Sequence, residues 1–96
     1  MATPWFVYLI ECADGSLYVG ITTSLDRRLA EHNRGRASKY TRGRRPVRLV
    51  HTETHADRGA ASRREHAVKQ LSRAGKRALL EATRRGVGGG SRRRAR

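Results

Sequence analysis

The chain predicts a small α/β (α+β) fold: a mostly antiparallel three-stranded sheet flanked by helices, in the order ββαβαα. Three observations carry this. Two β-prone runs, Trp5 to Cys12 and Leu17 to Thr22, face each other across a turn signal. A third β-prone run begins after Pro46. Helical periodicity fills the intervals between the second and third runs and after the third. Ninety-six residues suffice for one domain with a small core.

The first two runs read as a hairpin joined through Ala13-Asp14-Gly15-Ser16. Aromatic residues make up only 5% of the chain, and four of the five lie between Trp5 and Tyr18. Core packing is the plain reason for that concentration, and a site is the sharper one. Loop length separates them. A two-residue Asp-Gly loop pairs Tyr8 with Ile21 and puts Tyr8 and Tyr18 on opposite faces. A three-residue loop, with Gly15 in a left-handed bulge, pairs Tyr8 with Gly20 and puts both tyrosines on one face. A shared site requires the three-residue loop.

Thr23 and Asp26 have capping-box spacing, so the first helix is expected to start after Thr23 and run to about Asn33, stopping near Gly35. Gly35 to Arg45 reads as a basic loop. The third strand covers Val47 to Thr54, with Val47, Leu49 and His51 on one face. A second helix runs from near Asp57 to about Leu71. Arg73-Ala74-Gly75 is expected to break it, and a third helix carries Lys76 to about Arg84. Residues 1–85 are thus read as the folded domain. Residues 86–96, rich in Gly and Arg, are read as a disordered basic tail.

The formal net charge is +14, from 22 Lys+Arg against 8 Asp+Glu. Such a balance points to nucleic acid as the partner, because cationic side chains neutralise the phosphate backbone. An anionic membrane fits less well, since no long amphipathic stretch accompanies the charge. Cys12 is the only cysteine, so no internal disulfide and no cysteine-based zinc site are expected. No run has the length or flanks of a signal peptide or a membrane span, and the expected address is the cytoplasm.

Polar residues on apolar helix faces are the site candidates. At about 100° per residue, Leu25, Leu29, Arg28 and His32 share one stripe of the first helix. Arg27 lies away from it and is expected to pair with Glu31. Arg28 is either a snorkelling side chain or a site residue, and His32 either a satisfied boundary residue or its neighbour in that site. On the second helix, Ala61, Glu65 and Val68 share a stripe. Glu65 is either the i,i+4 partner of Lys69 or a metal ligand, since one carboxylate with water and a substrate phosphate suffices for magnesium. His51, His55 and His66 lack metal-ligand spacing. In the basic loop Lys39, Arg42, Arg44 and Arg45, joined by Lys69, are expected to contact nucleic-acid backbone.

With Tyr8, Tyr18, Arg28, His32 and Glu65 in place, the chain resembles the GIY-YIG nuclease superfamily, and most of all its small stand-alone bacterial members. Phe6-Val7-Tyr8 stands where the family has Gly-Ile-Tyr, and Tyr18-Val19-Gly20 where it has Tyr-Ile-Gly. The resemblance runs from about Trp5 to Leu80. It implies a metal-dependent endonuclease that hydrolyses phosphodiester bonds with one Mg2+ or Mn2+ ion. It implies that Glu65 holds the ion, Arg28 contacts a phosphate oxygen, Tyr8 activates water with help from the Arg28 charge, and Tyr18 and His32 position groups or relay protons. The first motif keeps only its tyrosine. The late asparagine of homing endonucleases has no counterpart, Asn33 being the only asparagine. Ile21 stands where UvrC-like members carry a lysine.

Three functions from different classes follow. One is an endonuclease acting on DNA, with branched or damaged DNA in repair or recombination as candidate substrates and RNA as an alternative. Another is a non-catalytic nucleic-acid-binding protein that keeps the fold. A ribosome-associated basic protein whose tyrosines only pack is a third. The chain is expected to be a monomer or a weak homodimer.

Overall fold

A computed structural model describes residues 3–84. The elements are β1 (Trp5–Glu11), β2 (Leu17–Thr22), α1 (Leu25–Asn33), α2 (Lys39–Arg42), β3 (Arg48–His55), α3 (Arg58–Lys69) and α4 (Arg73–Arg84). The strands form one antiparallel sheet in the order β2-β1-β3. The expected tail over residues 86–96 lies outside the described residues.

β1 is central, and Val7, Tyr8, Leu9 and Ile10 are all buried. Side chains alternate across a strand, so β1 feeds two cores. Val7 and Leu9 join Val19, Ala61 and Val68 of α3, and Leu80 of α4. Tyr8 and Ile10 join Cys12 and Val47, with Tyr18, Leu25 and Leu29 packed against them. Each fully buried aliphatic side chain contributes roughly 1.5–3 kcal/mol. The site is set on the second face, between the sheet and α1.

The hairpin has the three-residue loop that a shared tyrosine face requires. Tyr8 pairs with Gly20, the Cys12 N–H donates to the Ser16 carbonyl at 2.8 Å, and Gly15 has φ +85°. The Asp14 carboxylate accepts from the Ser16 N–H and hydroxyl, which closes the turn.

Several local expectations are corrected. The N-cap of α1 is Ser24, not Thr23, and no capping box forms. The Thr22 hydroxyl instead accepts from the Ser24 N–H at 3.1 Å, so the end of β2 itself shapes the entry to the helix. Glu31 pairs with Arg28 at 3.3 Å rather than with the exposed Arg27. The stretch read as a basic loop contains α2, whose N-cap Ser38 accepts from the Thr41 N–H. Helix α4 starts at Arg73. Ser72 caps it by accepting from the Gly75 N–H, which places the expected breaker inside the first turn. In β3 the pairing shifts so that Leu9 faces His51 and Ile10 faces Leu49. Val50 is the extra residue of this bulge, so strict alternation fails. Val47 is buried in the second core, Val50 packs against the first, and Leu49 is exposed.

Helix α1 ends as expected. Gly35, at φ +76°, donates to the His32 carbonyl and Arg36 donates to the Glu31 carbonyl, a Schellman closure. Asn33 then clamps the chain entering β3. Its side chain donates to the Val47 carbonyl and accepts from the Val47 N–H. This clamp, rather than a catalytic role, accounts for the one asparagine.

Candidate active site

Tyr8 is the centre of the site. Its ring crosses over its strand partner Gly20, where a Cβ would sit 2.6 Å from Tyr8 Cζ. The glycine of Tyr18-Val19-Gly20 therefore exists for the tyrosine of β1. The Tyr8 hydroxyl lies 2.9 Å from His32 Nε2, and His32 Nδ1 lies 2.8 Å from the Thr41 hydroxyl. Thr41 in turn donates to the Ser38 carbonyl. That last bond assigns the rest. Thr41 oxygen accepts from His32 Nδ1–H, and His32 Nε2 accepts from the Tyr8 hydroxyl. All three side chains are buried.

Burial sets the charge states. It pushes the Tyr8 phenol well up, helped by Tyr18, while the Arg28 charge opposes it. Arg28 acts on the phenol in the expected direction, but desolvation outweighs the cation. Burial also pulls the His32 imidazole down, reinforced by Arg28. A protonated phenol thus faces a neutral imidazole.

Arg28 pairs with Glu31, but its Nε is buried with no hydrogen-bond partner among the described residues. A buried guanidinium N–H left open is costly unless an anion completes it. Glu65, on α3, is close enough for its charge to act on the Tyr8 phenol. It is 21% exposed and sits 3.3 Å from Lys69, the i,i+4 pair read as its plain role. Among the described residues, no group of three or more His, Cys, Asp and Glu side chains is arranged to hold a metal ion. Glu65 offers one partly exposed carboxylate, a hard oxygen donor suited to an ion that keeps water and substrate oxygens as its other ligands.

Tyr18 shares the face. Its ring meets His32 edge-on at 5.2 Å and stacks on Tyr40 of α2 at 5.9 Å. The Arg44 guanidinium covers Tyr40 at 4.0 Å and binds Asp14 in the hairpin turn. Sequence reading thus placed Tyr8, Tyr18, Arg28, His32 and Glu65, and the fold gathers all five around the Tyr8 phenol. It missed Thr41 and Tyr40, which sit in a four-residue helix too short to leave a periodic signal.

The expected backbone contacts divide. Lys39 and Arg42 are exposed. Arg44 is held by Asp14 and donates to the Tyr40 carbonyl, and Arg45 donates to the Arg42 carbonyl. Lys69 is held by Glu65. Arg44 and Lys69 are thus ion-paired, whereas Arg45 meets only backbone carbonyls and keeps its charge uncompensated.

A second polar cluster lies on the other face of the sheet, where Glu53 and His51 pair with Val7 and Leu9. Glu53 of β3 accepts from Arg64 at 2.7 and 2.9 Å and meets His51 Nε2 at 2.9 Å. His51 Nδ1 bonds Thr83 of α4. The His51 hydrogen bond, then Arg64, holds the Glu53 carboxyl far below the usual range.

Comparison with known proteins agrees with the motifs. Residues 4–78 match the family model described as the GIY-YIG catalytic domain. A UPF0213 protein of Desulfotalea psychrophila is 55% identical over 83 residues, covering 85% of this chain and 76% of that protein. A UPF0213 protein of Halobacterium salinarum is 59% identical over 74 residues, covering 77% of this chain and 96% of that protein. The solution NMR structure of a UPF0213 protein from Bacillus halodurans superposes with TM-score 0.54 at 47% identity, over 81% of this chain and 83% of that one. A solution structure of a protein from E. faecalis gives TM-score 0.60 at 36% identity, over 96% and 100%. Among the described residues, no helix is long and apolar enough to cross a membrane. Matched from Pro4 to Ala78 by that catalytic domain, the chain belongs to the GIY-YIG family, a family of nuclease-type chemistry.

Proposed function

We propose that the protein is a divalent-metal-dependent endonuclease that hydrolyses DNA phosphodiester bonds. Branched or damaged DNA is the proposed substrate, in repair or recombination. One observation carries the reading: a buried phenol aimed at a neutral imidazole, beside a buried arginine N–H with no partner. Core packing alone asks for none of these.

The roles follow from the atoms. Arg28 Nε donates to a non-bridging oxygen of the scissile phosphate, and its fixed charge favours the growing negative charge there. Water attacks phosphorus in line with the leaving oxygen. Tyr8 accepts a proton from that water as its own proton passes to His32 Nε2, so no free phenolate is needed. Thr41 keeps the Nδ1 proton in place and leaves Nε2 open to receive. Tyr18, stacked on Tyr40, walls the site. Glu65 would hold Mg2+ or Mn2+, which when bound supplies charge stabilisation at the phosphate and leaving oxygen.

The Glu65–Lys69 pair favours a second reading, a non-catalytic binder in which Glu65 is only a surface ion-pair partner. Cleavage of a labelled DNA panel, with and without Mg2+ or Mn2+, decides between them. The endonuclease reading expects metal-dependent cutting that falls about 10²–10³-fold in Arg28→Ala and Glu65→Ala. Cutting unchanged in Glu65→Ala refutes the assigned site. Salt-dependent binding without cutting supports the binder.

A further inference from the structure

Most arginines near the hairpin are occupied. Arg44 is held by Asp14, Arg48 and Arg77 by Glu11, and Arg64 by Glu53. Two cations nearby are different. Arg73 and Lys76, in the first turns of α4, have no ion pair or side-chain hydrogen bond among the described residues. The acids that could have taken them, Glu11 and Asp14, are already bonded. Both cations line an open cleft of about 180 Å³ with Ser16, Leu17 and Tyr40. The Arg73 guanidinium reaches back to the turn, 4.0 Å from where a side chain on Gly15 would begin.

The cleft adjoins the active site. Tyr40 lines the cleft, and the same ring is covered by Arg44 and stacks on Tyr18, which meets His32. Tyr40 is 39% exposed although aromatic, and Leu17 adds apolar surface at the floor. The Ser16 hydroxyl is already donated to Asp14, so the two unpaired cations and the exposed aromatic edge carry the fit, which suits one phosphate and its sugar. They suit neither an apolar ligand nor a cation.

We propose that this cleft is a second phosphate subsite. In it Arg73 and Lys76 hold a backbone phosphate of the same nucleic acid strand, to one side of the scissile bond. The inference rests on the nuclease reading for its strand. It makes the enzyme's grip one-sided, because the strand passes from Arg28 over Tyr18 and Tyr40 to α4.

The test is a methylphosphonate scan. Labelled DNA, a duplex with a single-stranded overhang, carries one neutral methylphosphonate at successive positions, and binding is measured with the Glu65→Gln protein so that nothing is cut. The expected result is two positions where neutralisation weakens binding. Adding Arg73→Ala and Lys76→Ala should weaken binding roughly threefold to tenfold, the size two exposed ion contacts supply. It should also flatten the salt slope by about one and abolish the penalty at the second position only. Arg27→Ala with Arg34→Ala removes equal charge from α1 and should leave both penalties in place. An identical scan with and without Arg73 and Lys76, or no binding at all, overturns the subsite. Cleavage by the protein with Glu65 intact is read in parallel. An altered scan without cutting keeps the subsite and refutes the nuclease, and an unchanged scan with cutting does the reverse.

Discussion

Two histidine-centred polar clusters flank the central strand, and they are built on opposite terms. Around Glu53 the anion is closed: the carboxylate takes two N–H donors from Arg64, one contact from His51 and a longer one from His55 at 3.5 Å, and His51 reaches Thr83. Around Tyr8 the bonding is open. Phenol, imidazole and hydroxyl form a neutral chain, and the adjacent Arg28 Nε has no partner. Neighbours on α3 divide the same way, since Arg64 joins the closed cluster and Glu65 looks to the open one. The Glu53 carboxylate ties β3 to α3 and α4, with His55 Nε2 buried beside it and without a hydrogen-bond partner among the described residues. The cluster around Tyr8 leaves a guanidinium N–H open. Histidine and glutamate are in both, so residue type alone does not tell structure from chemistry.

The largest effect that sharpens this contrast is expected at the closed cluster. Glu53→Gln leaves Arg64 and His51 without their carboxylate and should cost about 2–3 kcal/mol, below the full buried-pair penalty because Arg64 is 38% exposed. Urea unfolding measures it, and the cutting rate per folded molecule should hold. A large rate loss with stability intact would erase the contrast.

Gly20→Ala should be next, at about 1–3 kcal/mol, because the new methyl overlaps the Tyr8 ring. Here stability and cutting should fall together, since the same ring serves packing and site.

Thr41→Val keeps the shape but removes the acceptor for His32 Nδ1–H. It should cost about 1 kcal/mol of stability. It should also lower kcat more than KM, and Thr41→Ser should restore it. The pH profile is the second readout. His32 is held below the ordinary imidazole value of 6.5, so the folded protein binds its proton less readily than the unfolded chain. The stability tied to His32 is therefore complete above about pH 6.5 and is lost as pH falls through the folded value. Cutting should decline on that same acid limb, and Thr41→Val should move it. An unmoved limb assigns Thr41 to packing.

Lys69→Ala is the smallest change, about 0.3–0.5 kcal/mol for an exposed i,i+4 pair. It frees Glu65, so cutting at limiting metal should hold or rise. A loss of cutting would make Lys69 part of the open cluster.

How much of this could be read from the residues depended on distance along the chain. The hairpin parity followed from Tyr8, Gly15 and Tyr18, because strand alternation leaves one loop length for a shared face. The stripes holding Arg28, His32 and Glu65 followed from helical period. The partners did not follow. Thr41 meets His32 because α1 closes at Gly35 and α2 folds back, a local reversal with no period to detect. The Val50 bulge was hidden for the same reason: alternation predicts faces only until an extra residue shifts them. Glu31 took Arg28 over Arg27 because Arg28 is held at the packed edge of α1.

The placement of Tyr8 in the central strand has one more consequence. Val7 and Leu9 on either side of it are fully buried, and both strand neighbours hydrogen-bond to the same segment. Moving the backbone that carries the phenol by an ångström would mean shearing the whole sheet. The protein therefore meets its substrate as a fixed anvil, and whatever bending brings a phosphate into line must be done by the nucleic acid.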